Sequence, residues 1–123
     1  MLDLRDTDVD DRAMKFIKGY SKLESLDLDD AKVSDAGLVH LREMNQLQKL
    51  WLQGFTRISD AGMPHLAGLV NLRSLSLRNT MVTDRGLEHL IAMQKLEKLS
   101  LRKSKVTDAG MVADRKSTRL NSS

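Results

Sequence analysis

The chain has 123 residues, enough for one domain, with 41% hydrophobic and 30% charged residues, the balance of a soluble globular chain. It has no cysteine, which excludes a disulfide framework, a cysteine nucleophile and a cysteine-ligated metal, and no apolar run near the ~18 residues that span a bilayer. Of the formal net charge of +3, +2 lies in residues 114–123, so the remainder sets 17 basic against 16 acidic residues and does not favour a nucleic-acid partner.

In chain order, the dominant signal is a repeat. Leu-x-Leu occurs at Leu2–Leu4, Leu26–Leu28, Leu50–Leu52, Leu75–Leu77 and Leu99–Leu101, with offsets of 24, 24, 25 and 24 residues. A second landmark keeps the same phase: VSDAGL from Val33, ISDAGM from Ile58, VTDRGL from Val82 and VTDAGM from Val106. A third is HLREMNQL, HLAGLVNL and HLIAMQKL. Within each unit, alternating leucines predict a short strand with one buried face. With aromatic residues at only 3%, the core must be aliphatic.

The Ser-Asp or Thr-Asp pair predicts a helix start. The hydroxyl is expected to accept from an unpaired N–H, and the carboxylate to favour the positive end of the helix dipole. Leu38, Leu41 and Met44 then fall on one helical face. The recurring Gly37, Gly62, Gly86 and Gly110 cost helix stability, so close backbone approach of a neighbouring unit, or an irregular first turn, is expected there; the first unit carries Ala13 instead. No unit can bury its apolar stripe alone, so the units must stack. Leu66 and Leu90 are the expected central core positions on the helices.

The pattern L-x-x-L-x-L followed by (S/T)-D-x-G-L-x-x-L resembles leucine-rich repeat proteins of the "TDAGL" kind, found in bacterial proteins and similar to the repeats of F-box receptors. The resemblance covers roughly residues 1–112. It implies an α/β fold: a right-handed horseshoe solenoid of about four and a half repeats, with parallel strands on the concave face and helices on the convex face. The position usually held by Asn or Cys carries Thr7, Ala31, Thr80 and Ser104; a hydroxyl can bond the turn backbone and Ala31 cannot. The third unit has one extra residue, and Phe55 falls at the Cys position, which predicts a bulge or wider turn.

The repeat domain is expected to occupy residues 1–113. The final DRKSTRLNSS, residues 114–123, breaks the period and resembles an in-frame translation of a sequencing-library adapter, so it is read as a non-native or disordered tail on a truncated, uncapped fragment. Uncapped ends make self-association possible. Met1 enters directly at a strand, and MLDLRDTDVDDR lacks a secretory leader; the compartment is open, with the cytoplasm favoured.

Three candidate constellations remain. His40, His65 and His89 share one position of the unit, but ligands on separate packed helices do not converge on a metal. Asp35, Asp60, Asp84 and Asp108 form a periodic row that the helix dipole explains. No catalytic motif is present, and no cofactor is implied. The outward strand positions are the third. Alternation sends Asp3, Arg5, Ser25, Asp27, Asp29, Lys49, Trp51, Gln53, Ser74, Ser76, Arg78, Lys98, Ser100 and Arg102 to the concave face, where packing leaves them free. The set is acidic in the early units and basic in the late ones, with the single Trp between. Exposed Trp and Arg are typical binding anchors. The partner-binding set is therefore Asp27, Asp29, Lys49, Trp51, Gln53, Ser76, Arg78, Ser100 and Arg102. The resemblance implies non-enzymatic binding of a protein partner through that face. Alternatives are the substrate-recognition segment of an F-box-type ubiquitin-ligase receptor, or a sensor segment of a larger enzyme such as a kinase.

Overall fold

A computed structural model describes residues 1–5, 7–54, 57–91, 93–107 and 121–122. Strands β1 (Leu2–Asp3), β2 (Ser25–Asp27), β3 (Lys49–Trp51), β4 (Ser74–Ser76) and β5 (Lys98–Ser100) form one open parallel sheet in sequence order. Helices α1 (Asp11–Ile17), α2 (Asp35–Leu38), α3 (Met63–Ala67) and α4 (Asp84–Ile91) are the connections. A 3₁₀ turn extends α2 over Val39–Leu41, and another precedes α3 over Asp60–Gly62, so the irregular first turn expected at the glycines occurs in the third unit.

The leucine repeat fixes the register. Leu2 pairs with Leu26, Leu26 with Leu50, Leu50 with Leu75 and Leu75 with Leu99. The second leucines, Leu28, Leu52, Leu77 and Leu101, are buried beside them. Helix residues Met14, Leu38, Leu41, Met63, Leu66, Leu87 and Leu90 close the same aliphatic core. Because the unit repeats in phase, each residue packs against its own equivalents, and burial of a Leu stabilises by about 1.5–3 kcal/mol.

Backbone hydrogen bonds tie the units at two further places. Past the strands, Leu28 N donates to Trp51 O at 2.9 Å and Asn79 N to Arg102 O at 2.8 Å. At the helix entrances, Lys32 N donates to Val9 O, Met81 N to Ile58 O and Lys105 N to Val82 O, all within 2.9 Å. Two residues after the Leu-x-Leu of the second to fifth units the turn is left-handed, and Asp30, Gly54, Asn79 and Lys103 occupy it with φ of 59°, 100°, 59° and 62°. The hydroxyls of Thr7, Thr80 and Ser104 donate to the carbonyls of Leu4, Leu77 and Leu101 at 2.6–2.7 Å, as expected of that position, while buried Ala31 offers only its backbone N–H.

Phe55, Asp108, Gly110 and most of the tail lie outside the described residues. The sequence reading gives residues 114–123 no partner in the array. In the structure the backbone of Asn121–Ser122 (β6) continues the sheet, pairing in parallel with Lys98–Leu99. Among the described residues no helix is long and apolar enough to cross a membrane.

Candidate functional site

The aspartates at the helix starts do more than favour the dipole. Asp11 accepts from Ser34 N at 2.7 Å and from the Ser34 hydroxyl. Asp35 does the same to Ser59, Asp60 to Thr83, and Asp84 to Thr107. Each carboxylate therefore reaches one unit ahead. The expectation for the cap hydroxyls holds at Thr83, which accepts from Arg85 N at 3.3 Å while donating to Asp60, and is corrected at Ser34 and Ser59, which donate to the preceding unit and make no side-chain cap bond to their own helices. Asp10 caps α1 itself, accepting from Arg12 N and Ala13 N.

The ladder also accounts for the glycines. A Cβ built on Gly37 would sit 2.4 Å from Asp11 Oδ1, on Gly62 2.4 Å from Asp35 Oδ1, and on Gly86 2.4 Å from Asp60 Oδ1. The neighbour does approach closely, but through a carboxylate and not through backbone. These aspartates are fully engaged in structure.

The histidines do not converge. His40 and His65 are half-buried, as expected, whereas His89 is exposed. Among the described residues no group of three or more acidic or His side chains is placed to hold a metal.

The strand face is a groove. An open depression of about 660 Å³ is lined by Asp27, Asp29, Trp51, Gln53, Ser76, Arg78 and Ser100 from the proposed set, together with Arg5, Ser74, Lys98 and the backbone-flanking Leu75 and Leu99. Lys49, exposed on β3, and Arg102, exposed on the turn after β5, stand outside that lining. Trp51 is half-buried on the central strand, directly opposite Asp27 on one side and Ser76 on the other.

The expectation that packing leaves all these positions free is corrected at Asp27, Asp29 and Ser76, which are only 6%, 8% and 7% exposed. Asp27 accepts from Asp29 N at 3.0 Å and meets Arg5 Nε at 3.4 Å. Asp29 accepts from Gln53 N at 3.0 Å, and the Ser76 hydroxyl bonds Gln53 Oε1 at 3.0 Å. Burial pushes the Asp29 carboxyl up to about 6, with the charges of Asp27 and Asp30 adding to it and the Gln53 N–H opposing it. At the outer edge, hydrogen bonds from Arg5 hold the Asp3 carboxyl below its ordinary value. The early half of the groove is thus a closed network of carboxylates with their partners. The late half exposes Arg78, Lys98 and Arg102.

The leucine-rich repeat family matches residues 21–41 and 92–113. No curated protein matches the sequence. Among solved structures, an internalin C2 from Listeria monocytogenes superposes with a TM-score of 0.66 at 23% identity, over 89% of this chain and 55% of its own length. Another Listeria monocytogenes internalin, inlF, superposes with a TM-score of 0.56 at 22% identity, over 88% of this chain and 36% of its own. This chain folds as a leucine-rich-repeat solenoid. It spans about half of the first internalin and about a third of the second. Against that fold, the groove is the concave strand face of the solenoid, and the Asp-to-Ser/Thr ladder runs along its helical side.

Proposed function

We propose that the chain is a non-enzymatic protein-interaction module that binds its partner in the concave groove. The observation that carries this is Trp51. The chain's single Trp stands half-exposed on the central strand, in a groove whose neighbouring side chains are already fixed by the Asp29–Gln53–Ser76 hydrogen bonds. A large amphipathic side chain on a pre-ordered floor offers contact area with little entropy left to lose. Among the described residues that line the groove, none pairs a nucleophile with a general base. The carboxylates nearest to it, Asp27 and Asp29, are buried and hold backbone N–H groups.

The solenoid fold shared with the internalins supports the reading at the level of architecture. The finer alternatives, a substrate-recognition segment of an F-box-type receptor or a sensor segment of a larger enzyme, would use the same groove, and the identity of a captured partner decides between them.

The test compares two faces. A protein recovered by affinity capture is titrated against the chain, against Trp51→Ala and against Glu88→Ala on the exposed side of α4. Trp51→Ala is expected to weaken binding by about 2 kcal/mol or more. Its melting curve should show a loss of no more than about 1–2 kcal/mol. Loss of binding in the α4 variant with Trp51→Ala unchanged would place the interaction on the helical face and end the proposal.

A further inference from the structure

The exposed charges of this face that lack an ion-pair partner among the described residues are basic, and we propose that the groove takes an acidic, extended peptide segment. The segment lays an apolar side chain against Trp51 and carboxylates over Arg78, Lys98 and Arg102. This rests on the concave-face reading above and adds the chemistry of the partner.

The sequence alone suggests a face split evenly between acid and base. In the structure the acidic half is taken up within the fold. Asp3 is bound by Arg5 at 2.8 Å, Asp27 by Arg5 and the Asp29 N–H, and Asp29 by the Gln53 N–H, the last two almost wholly buried. The basic half has no such partners. Arg78, Lys98 and Arg102 are exposed, and none forms an ion pair among the described residues. Arg78 and Arg102 hold equivalent positions in adjacent units, where the Asn79 N–H meets the Arg102 carbonyl at 2.8 Å. Their chains are thus about one strand spacing, ~4.8 Å, apart. Two like charges held side by side are relieved by an anion between them, and a guanidinium fork suits a carboxylate.

Spacing sets the ligand's pattern. With strands ~4.8 Å apart and ~3.3 Å per residue along them, the base of Arg78 lies about 8 Å from that of Trp51, and those of Lys98 and Arg102 about 12 Å. An extended peptide covers this in about three residues. The recognised segment therefore carries an apolar residue and an acidic residue two to four positions apart. A nucleic-acid strand would also bring anions, but strand binding stacks successive bases, and Trp51 is the single aromatic among the described residues that line the groove.

The experiment pans phage-displayed random dodecapeptides on the full chain and measures the leading synthetic peptide by fluorescence anisotropy. The enriched peptides should carry Asp or Glu two to four positions from a bulky apolar residue. The double variant R78E/R102E, checked for its fold by circular dichroism, should bind at least tenfold more weakly. The milder R78Q/R102Q should lie between, and changing the peptide's acidic residue to Lys should restore binding to R78E/R102E.

If the leading peptide loses affinity with Trp51→Ala but not with R78E/R102E, the acidic-partner inference is overturned while the concave-face reading stands. If neither change matters, or no peptide is enriched, both fall. Tighter binding of a ten-residue oligothymidylate than of any selected peptide would assign the basic strip to nucleic acid and overturn the inference.

Discussion

The inter-unit ladder makes a sharp prediction at Gly37. Gly37→Ala places a methyl carbon 2.4 Å from Asp11 Oδ1, with Val33 Cγ1 next at 3.1 Å. The carboxylate must leave, and with it go its bonds to the Ser34 N–H and hydroxyl. Hydrogen bonds to a charged group contribute about 1.5–3 kcal/mol each when formed inside a protein, and this site is only half-buried, so the pair is worth about 2–4 kcal/mol. Alanine returns about 1 kcal/mol of helix propensity. Gly37→Ala should therefore destabilise by about 1–3 kcal/mol. In an Asp11→Ala background the obstacle is gone, and the same change should be neutral or stabilising by up to about 1 kcal/mol. Ala13, at the glycine position of the first unit, shows that the helix itself accepts the methyl group. Urea denaturation of the wild type, both single variants and the double variant yields the coupling energy directly, expected at about 2–3 kcal/mol. Equal costs of Gly37→Ala in both backgrounds, within about 0.5 kcal/mol, would refute the ladder. So would a cost for Asp11→Ala confined to the ~0.3–1 kcal/mol of a dipole interaction.

Three further outcomes follow from single sites. Asp29 has its folded pKa raised from 3.8 to about 6. The unfolded chain therefore ionises first, and stability falls as pH rises through that window, by up to about 3 kcal/mol at ~1.36 kcal/mol per pH unit. Asp29→Asn, which keeps an acceptor for Gln53 N, should raise stability at pH 7 and flatten the pH profile between about 4 and 6; an unchanged profile by thermal denaturation would show that Asp29 ionises normally. Lys103 holds a left-handed backbone at φ 62°, so Lys103→Gly should gain about 0.5–1 kcal/mol in a urea melt, and a loss would show that its side chain matters to the turn. Leu66→Ala, in the middle of the stack, should cost about 2–5 kcal/mol. Hydrogen exchange should then show the neighbouring units opening first, and uniform opening of all units would contradict coupling through neighbours.

The sequence was most readable where packing alone dictates a residue. The leucines had to fall in phase because each pairs with its equivalent, and the recurring Leu-x-Leu offsets reappear as the register Leu26–Leu50–Leu75–Leu99. The 25-residue third unit does not disturb it, since β3 and β4 still align Leu50 with Leu75. The aspartates were harder. A carboxylate in the first turn of a helix has a sufficient local explanation, and nothing local says that it bonds a residue one unit ahead. The signal that it does is joint: Gly recurs in the following unit where the carboxylate arrives, and a hydroxyl recurs three residues earlier. Burial of Asp27 and Asp29 was not legible either. Alternation gives the face a side chain points to, but not whether Arg5, Trp51 and Gln53 from adjacent units cover it.

The two ladders divide the molecule's work unevenly. On the helical side, one carboxylate per unit joins each repeat to the next, so every member of the row has an equivalent. On the strand side, the carboxylates occur only in the early units, and burial disfavours the charged form of Asp29. Packing of the leucines does not require that carboxylate. Its structural effect is to hold the Gln53 N–H, while Gln53 in turn receives the Ser76 hydroxyl on the next strand, beside Trp51. Three units are thus linked across the floor of the groove by side chains that break the repeat's own symmetry. A repeat array needs no such asymmetry to fold. A surface that must present one Trp and one basic strip in a fixed relation to a partner does, because order established before binding is order the partner need not impose.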